Sequence, residues 1–541
     1  MPILNGGQAL IESLQRAGIR TVFGVPGAGQ YEAVDALYGR SDIRYISLRH
    51  EQAASYMADG YARASGEIAA ALVLPGPGVY NAGAGIATAY ATSTPMLVIT
   101  GTRHQEGAPP AENELDWYNN LAKWAVRAKS PAKIPSLVQT AIGQLTSGRP
   151  RPVVIEISSQ VFAMQEEVTL PEHWSRGSLI EKSLGIVLSP FQTPGVPQRS
   201  VELTQATQHL AQAQRPVIWA GGGVHSARAW HTLQALAELL QAPVVTTPEG
   251  KGALSDRHPL SLGLAELRYA PLKRWLDQRN LVLAVGTRSD VTKQLPNAHI
   301  IRIDIDPDQI KQNERQLALV GDADEILTAL HTLLQDATST RPSIADEVRS
   351  LNQQRFDPAK QLQPQWELMT AIRAALPDDG ILVQGMNQMG YYSRNYFPVY
   401  HPRSYITASP LATLGAAFPQ ALGAKVAQPE RAVVALCGDG GFLYNAQELA
   451  TAVKYGINVV VIVFNDNAYG NVLRTQEEQF DGRVIGTELH NPDFVKLAEA
   501  YGVVGMRASD GNSLYTALST AIANHAPTLI EVPVGKMRRE Y

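Results

Sequence analysis

The sequence predicts an α/β protein built from three doubly wound parallel-sheet domains, and three observations lead there. Short β-branched runs at 70–74, 96–99, 153–157, 217–219, 282–285, 300–305, 433–436 and 459–464 alternate with longer helical patterns. Several of these runs are apolar throughout, as strands covered on both faces should be. Gly-rich turns and helices follow them, the order expected of parallel strands joined by crossover helices. At 541 residues, and with about 150 residues per domain, the chain has room for three or four such units.

In chain order, residues 7–17 read as an amphipathic helix, and the runs at 70–74, 96–99 and 153–157 supply strands of a first domain, 1–172. A stretch over 173–200 contains Ser189-Pro190-Phe191-Gln192-Thr193-Pro194-Gly195-Val196-Pro197, where proline and small polar residues resist packing, so it reads as a linker. The runs between 217 and 305 belong to a second domain, 201–336. A polar second linker, 337–365, leads into a third domain, 366–541, which holds the runs at 433–436 and 459–464. No short-period repeat or low-complexity tract interrupts this order.

Composition excludes several classes. Hydrophobic residues at 45% and charged residues at 18% are values of a folded chain, not a disordered one. The formal charge is −4, from 46 Lys and Arg against 50 Asp and Glu, with no long run of one sign, which argues against a nucleic-acid-binding surface. The one cysteine, Cys437, excludes an intrachain disulfide and a Cys-based zinc site. The N-terminus lacks the basic-then-apolar layout of a signal peptide, and the most apolar run, 459–464, is too short to span a bilayer. A soluble cytoplasmic protein with no membrane partner is the expectation.

The chemistry centres on Val433-Val434-Ala435-Leu436-Cys437-Gly438-Asp439-Gly440-Gly441-Phe442. A buried strand ends in a Gly-rich turn, and a helix is expected from about residue 445. Glycines let backbone N–H groups approach a phosphate, and Asp439 at the strand end offers a hard oxygen of the kind Mg²⁺ prefers. The next strand ends in Asn465-Asp466-Asn467-Ala468-Tyr469-Gly470. Neighbouring parallel strands end on the same edge of a sheet, so Asp439 and Asp466 can converge on one ion. Gly and Asp are also ordinary turn residues, and the second turn is what lifts the first above that reading.

The pair resembles the diphosphate-binding signature of thiamine-diphosphate (ThDP) enzymes, a Gly-Asp-Gly turn followed by an Asn-Asn turn. The resemblance implies that Asp439, Asp466 and the backbone carbonyl of Ala468 hold Mg²⁺, with Gly438, Gly440, Gly441, Tyr469 and Gly470 around the diphosphate. One departure is that Asp466 stands where the family usually has Asn. Arg49-His50-Glu51-Gln52-Ala53-Ala54 resembles the segment whose glutamate hydrogen-bonds the aminopyrimidine ring and helps deprotonate the thiazolium. Glu51 is thus the expected catalytic group, and an apolar pocket would raise its pKa. Taken alone, Glu51 would read as an exposed helical glutamate.

Further segments match. Phe23-Gly24-Val25-Pro26-Gly27, Gly76-Pro77-Gly78-Val79-Tyr80-Asn81 and Ile86-Ala87-Thr88-Ala89-Tyr90 resemble loops and a helix of the pyrimidine-binding domain. Gly385-Met386-Asn387 and Leu411-Ala412-Thr413-Leu414-Gly415 resemble cofactor loops of the diphosphate-binding domain, with Leu414 as the apolar wedge beneath the cofactor. The expected cofactor-binding set therefore includes Pro26, Gly27, Asn81, Gly385, Met386, Asn387, Ala412 and Leu414. The three domains become pyrimidine-binding, Rossmann-like middle and diphosphate-binding, and the chain is most similar to the acetolactate synthase group, judged also by Gly250-Lys251-Gly252-Ala253-Leu254 and Ile303-Asp304-Ile305-Asp306-Pro307. The family arrangement implies a homodimer at minimum, commonly a homotetramer, with Glu51 of one chain and Asp439 of another serving one cofactor.

The implied activity is a carboligase: a pyruvate-like 2-oxo acid loses carbon dioxide and its acyl carbanion equivalent attacks a second 2-oxo acid or an aldehyde. The alternative is a ThDP-dependent 2-oxo acid decarboxylase or aldehyde lyase, resembling benzoylformate decarboxylase, benzaldehyde lyase or oxalyl-CoA decarboxylase. Histidines that such decarboxylases carry near the cofactor are absent from Ala71-Leu72-Val73-Leu74-Pro75, and the first domain has only His50 and His104. Thr475 stands where biosynthetic relatives that prefer larger acceptors usually have Trp, and Gln105 is a weak match for their loop glutamine. In the middle domain Gly221-Gly222-Gly223 and Asp304/Asp306 could mark a nucleotide site, and Leu262–Tyr269 lacks the Met/Gly/His pattern of FAD-bearing synthases, which weighs against FAD. Arg394, Arg403, Arg474 and Lys251 are weaker candidates for a substrate carboxylate, and Trp117, Trp124, Tyr391 and Tyr392 for a pocket wall.

Overall fold

The computed structural model describes residues 1–102, 114–171, 201–310, 315–337 and 340–538. Among them the strands form three six-stranded sheets and a two-stranded antiparallel ribbon, Ile3–Asn5 with Gln165–Glu167. All eight expected runs are strands, from Ala69–Val73 to Val460–Asn465. The expected N-terminal helix is Gly6–Arg16, closed at its start by Asn5, whose side chain accepts from the Gln8 N–H while Gln8 bonds back to the Asn5 N–H. The first linker, 173–200, lies outside the described residues.

The first sheet runs Arg44–Ser47, Thr21–Gly24, Ala69–Val73, Met96–Thr100, Val153–Ile157, Trp124–Ala128, parallel at every pairing. Strands Ala69–Val73, Met96–Thr100 and Val153–Ile157 are buried at every position, which is why they read as unbroken apolar runs. The order reverses direction between Thr21–Gly24 and Ala69–Val73, so the loops at Pro26 and Gly76 leave the sheet where doubly wound folds open a crevice. The third sheet, Tyr405–Ile406, Ile381–Gln384, Val433–Gly438, Val460–Asn465, Thr528–Pro533, Val504–Arg507, repeats the same order of winding. Cys437 is buried in its third strand, and burial pushes the thiol up to about 12, so it packs as a small apolar residue.

The middle sheet has a different winding: Ser261–Leu264, Val244–Thr246, Pro216–Ala220, Leu281–Val285, His299–Asp304, Gln316–Val320. Its faces are covered by Leu233, Leu236 and Leu330 on one side and by Leu272, Trp275 and Val348 on the other. Residues 337–365, expected as a linker, contain helix Ala345–Arg355, with Val348 in that second core. The stretch is polar because the helix is amphipathic and short, so few of its residues face inward.

Two compact units emerge from the contacts, one comprising 1–191, 408–507 and 520–531, the other 192–407, 508–519 and 532–541. Within the first unit, helix Glu51–Ser65 crosses helix Ala417–Ala427 at glycine contacts. A Cβ on Gly60 would land on the carbonyl of Gln420, and one on Gly423 on the carbonyl of Met57. The Gln420 amide donates to Asp59 Oδ2 at 2.7 Å beside the crossing. Gly423→Ala is expected to cost at least about 1–3 kcal/mol, the usual penalty of overpacking. Thermal unfolding checks it, and an unchanged midpoint would contradict the close crossing.

Candidate active site

Strand Val433–Gly438 ends in an extended Gly438, which caps a single helical turn, Asp439–Leu443. The helix therefore starts at Asp439, not near 445 as the sequence suggested. It breaks at Asn445, whose amide donates to the Gly415 carbonyl at 2.8 Å and to Gln52 Oε1 at 3.3 Å, and a longer helix resumes only at Leu449–Tyr455. Asp439 is 2% exposed. Its Oδ1 accepts from the Gly440 N–H at 2.8 Å and its Oδ2 from the Asn491 amide at 2.6 Å.

The adjacent strand, paired Gly438 to Phe464, delivers the second turn to the same edge. Asn467 adopts a left-handed φ of 53°, and the turn is pinned by a segment running back along it: Tyr469 N–H donates to the Thr487 carbonyl and Leu489 N–H to the Asn467 carbonyl, both at 2.8 Å. Ala468 bridges Glu488 in that register. Asp466 is half-buried and faces Asp439; burial and the negative charge of Asp439 push it up to about 6. A Cβ on Gly470 would sit 2.2 Å from Asp466 Oδ2, so a side chain there would displace that carboxylate. A Cβ on Gly440 would meet the Tyr469 ring at 2.7 Å, whereas one on Gly441 would touch only Leu414 Cδ2 and the Gly415 N–H at 3.9 Å. The loop holding Leu414 turns on Ala412 and Gly415, with φ of 55° and 82°.

Two carboxylates that repel each other at the end of a sheet form an oxygen set that a divalent cation would relieve. Among the described residues no three His, Cys, Asp or Glu side chains gather into a metal-binding group, and this site brings two carboxylates. Further oxygens at this site must come from backbone, from amides or from a ligand.

Glu51 is the first residue of helix Glu51–Ser65, behind His50, whose Nδ1 accepts from the Gln52 N–H at 3.2 Å. Its carboxyl is buried, accepts from the Asn81 amide at 3.1 Å, and lies against Gly78, where a Cβ would sit 2.9 Å from Oε1. The segment before it is held from the diphosphate-type half of the same unit: the Arg49 N–H donates to both Glu448 carboxylate oxygens, at 3.1 and 3.3 Å. Glu448 is itself fully buried, which raises its pKa despite the bonds from Thr451 and the backbone. Pro26 and Gly27 follow the first-sheet strand Thr21–Gly24, with Gly27 against Leu74.

In the second unit, Gly385 and Met386 follow strand Ile381–Gln384, and Asn387 caps helix Gln388–Tyr396 by accepting from the Gly390 N–H at 2.8 Å. Thus Asp439, Gly440, Gly441, Leu414, Asp466, Ala468, Tyr469 and Gly470 are brought together, and Glu51 with Asn81 form a second group. Asn491 and Glu448 were missed by sequence reasoning, because each acts across a long sequence separation with no motif of its own. Two of the four carboxylate-binding candidates have structural partners: Arg394 donates to Gln384 Oε1, and Arg403 to the His225 carbonyl. Trp117 packs edge-on against Tyr80, and Tyr392 stacks on Tyr396. His104 and Gln105 lie outside the described residues. The glycine run in the middle sheet is a close backbone crossing, where side chains on Gly221 or Gly223 would collide with Gly286.

Comparison with known proteins places this geometry in a family. Residues 4–120 match the thiamine pyrophosphate enzyme N-terminal TPP binding domain, 203–330 the central domain and 385–532 the C-terminal TPP binding domain. The chain belongs to the thiamine pyrophosphate enzyme family and is a ThDP-dependent enzyme of the transferase or lyase type. It is 34% identical to a probable acetolactate synthase large subunit of Methanocaldococcus jannaschii, over 98% of this chain and 92% of that one. Acetolactate synthase isozyme 3 large subunit of Escherichia coli is 32% identical, over 100% and 96%. A probable 2-ketoarginine decarboxylase of Pseudomonas aeruginosa is 35% identical, over 98% and 94%. No helix among the described residues is long and apolar enough to cross a membrane.

Proposed function

We propose that the protein is an Mg²⁺- and ThDP-dependent carboligase that decarboxylates pyruvate or a similar 2-oxo acid and joins the two-carbon unit to a second 2-oxo acid or an aldehyde. The observation that carries this reading is the facing pair Asp439 and Asp466 on adjacent strand ends, on a chain whose full length aligns with acetolactate synthase subunits. Bound ThDP supplies an electron sink, so that a 2-oxo acid can lose carbon dioxide and its former carbonyl carbon can act as a nucleophile. Asp439 and Asp466, with the Ala468 carbonyl, would hold Mg²⁺, which would neutralise the cofactor's diphosphate, and Asn491 orients Asp439. Gly441 leaves the backbone open beside Leu414, where a diphosphate would find room, and Leu414 would prop the cofactor. Glu51 holds and returns a proton at the pyrimidine ring, kept in place by Asn81 and by the Glu448 bonds to Arg49. Gly385, Met386 and Asn387, which follow strand Ile381–Gln384, also bind the cofactor. Glu51 of one chain serves the Asp439–Asp466 site of another, so the working unit is at least a homodimer, and the substrates are small molecules met in the cytoplasm.

The 2-ketoarginine decarboxylase relative favours a second reading, in which the same site releases an aldehyde. Turnover of pyruvate as the only substrate separates them. The carboligase yields acetolactate, and acetaldehyde without acetolactate would sink it.

A further inference from the structure

A cavity of about 730 Å³ lies in the second unit between strand Ser261–Leu264 and helix Gln365–Ala375, and none of its lining residues belongs to the cofactor set. Its size is that of a small-molecule site. Phe356, Trp366, Tyr396 and Phe397 give it aromatic walls, and Lys251 reaches it from the Gly250–Leu254 segment. Lys251 is 3% exposed, yet its ammonium has no hydrogen-bond acceptor among the described residues and lies 5.4 Å over the Tyr405 ring.

The neighbouring charges are already committed. Asp256 accepts from Ser261 Oγ at 2.9 Å and from the Val399 N–H at 2.8 Å. The buried Arg355 guanidinium donates to the carbonyls of Leu262, Leu264 and Asn395. Arg373 donates to the carbonyls of Pro398, Leu376 and Pro377, and Arg257 pairs with Asp378. Lys251 has Asp256 as its nearby carboxylate and Arg355 as a neighbouring cation, and Arg355 also faces Glu266, so Lys251 is the cation here whose ammonium makes no hydrogen bond to a carboxylate. A buried charge left without a partner is costly, and an anion seated in the cavity would supply the missing one.

We propose that this cavity binds an organic monocarboxylate with an aromatic or bulky apolar body, its carboxylate paired to Lys251. One free ammonium matches one negative charge, and the ring-lined wall matches the body. Burial holds the Lys251 ammonium down to about 8, with Asp256 opposing and Arg355 adding to the shift, so the free site loses its charge in mildly alkaline solution. A paired carboxylate favours the ammonium, so affinity falls as pH rises from 7 to 9.

The test is calorimetric titration of the ThDP- and Mg²⁺-loaded protein with 4-phenylbutyrate and with the neutral 4-phenylbutan-1-ol. Wild type is expected to bind the carboxylate, more weakly at pH 9 than at pH 7, and to bind the alcohol at least about 30-fold more weakly. Lys251→Met is expected to weaken the carboxylate by a similar factor, and Ala375→Leu, which narrows the cavity without touching the charge, to weaken both ligands. Equal binding by Lys251→Met, equal binding of the alcohol by wild type, or no binding of the carboxylate by wild type would each overturn the proposal. Retained binding in Glu51→Gln separates this cavity from the cofactor site.

Discussion

Glu51→Gln is expected to lower kcat by about 10²- to 10⁴-fold, the usual contribution of a positioned acid–base group. Glutamine keeps the size of the side chain and can still bond the Asn81 amide through its carbonyl oxygen, so the helix start and the Gly78 contact survive. What it cannot do is give up and recover a proton at the ring. The loss should therefore fall on kcat, with ThDP affinity within about tenfold of wild type. Stopped turnover with cofactor binding measured in parallel checks it, and a variant of normal kcat would remove Glu51 from the chemistry. A weakening of ThDP binding with unchanged kcat would assign it to binding alone.

Mg²⁺ affinity is expected to climb with pH up to about 6 and then level off. Asp466 is raised from its ordinary carboxylate range to about 6 by burial and by Asp439, so at lower pH a cation must displace its proton. Below that point the gain approaches about tenfold per pH unit, one proton being released per ion bound. The sign for stability is the reverse. A raised folded value means the metal-free protein holds a proton on Asp466 that the unfolded chain has lost, so this group's contribution to stability is fully present below about pH 4 and is lost as pH rises through 6. Saturating Mg²⁺ and ThDP should abolish that loss, because the cation takes over the proton's role. Asp466→Asn, which restores the residue usual in the family, should flatten both profiles. Mg²⁺ titration at pH 5, 6 and 7 reads the effect, and an affinity independent of pH would contradict the carboxylate pair as the cation site.

The sheets were legible because strands buried on both faces leave unbroken apolar runs, and the eight runs seen in the sequence are all strands. Asp439 and Asp466 were legible for a related reason. Adjacent parallel strands end on one edge, so two turns one crossover apart must meet. What the sequence concealed depends on partners far along the chain. Glu448 acts on Arg49 and Asn491 on Asp439, and neither contact has a periodic signature. The early start of the helix at Asp439 was hidden because Asn445, which breaks it, bonds to Gly415 and Gln52, positions no local pattern reveals. Helix Ala345–Arg355 was read as linker because its apolar face is narrow. Lys251 read as a weak carboxylate candidate, and only its burial beside a cavity distinguishes it from a surface lysine.

In the proposed mechanism Glu51 of one chain and the Asp439–Asp466 pair of another act on one cofactor held between them. The most direct test of this mechanism mixes Glu51→Gln and Asp439→Ala chains under conditions that exchange subunits, and follows acetolactate formation from pyruvate with ThDP and Mg²⁺. Each variant alone should be nearly inactive. In the mixture half the dimers are mixed and one site in two of these is intact, so about a quarter of wild-type turnover should return. Exchanged chains that stay inactive would contradict a shared site, and either variant active alone would contradict the role of the residue it lacks.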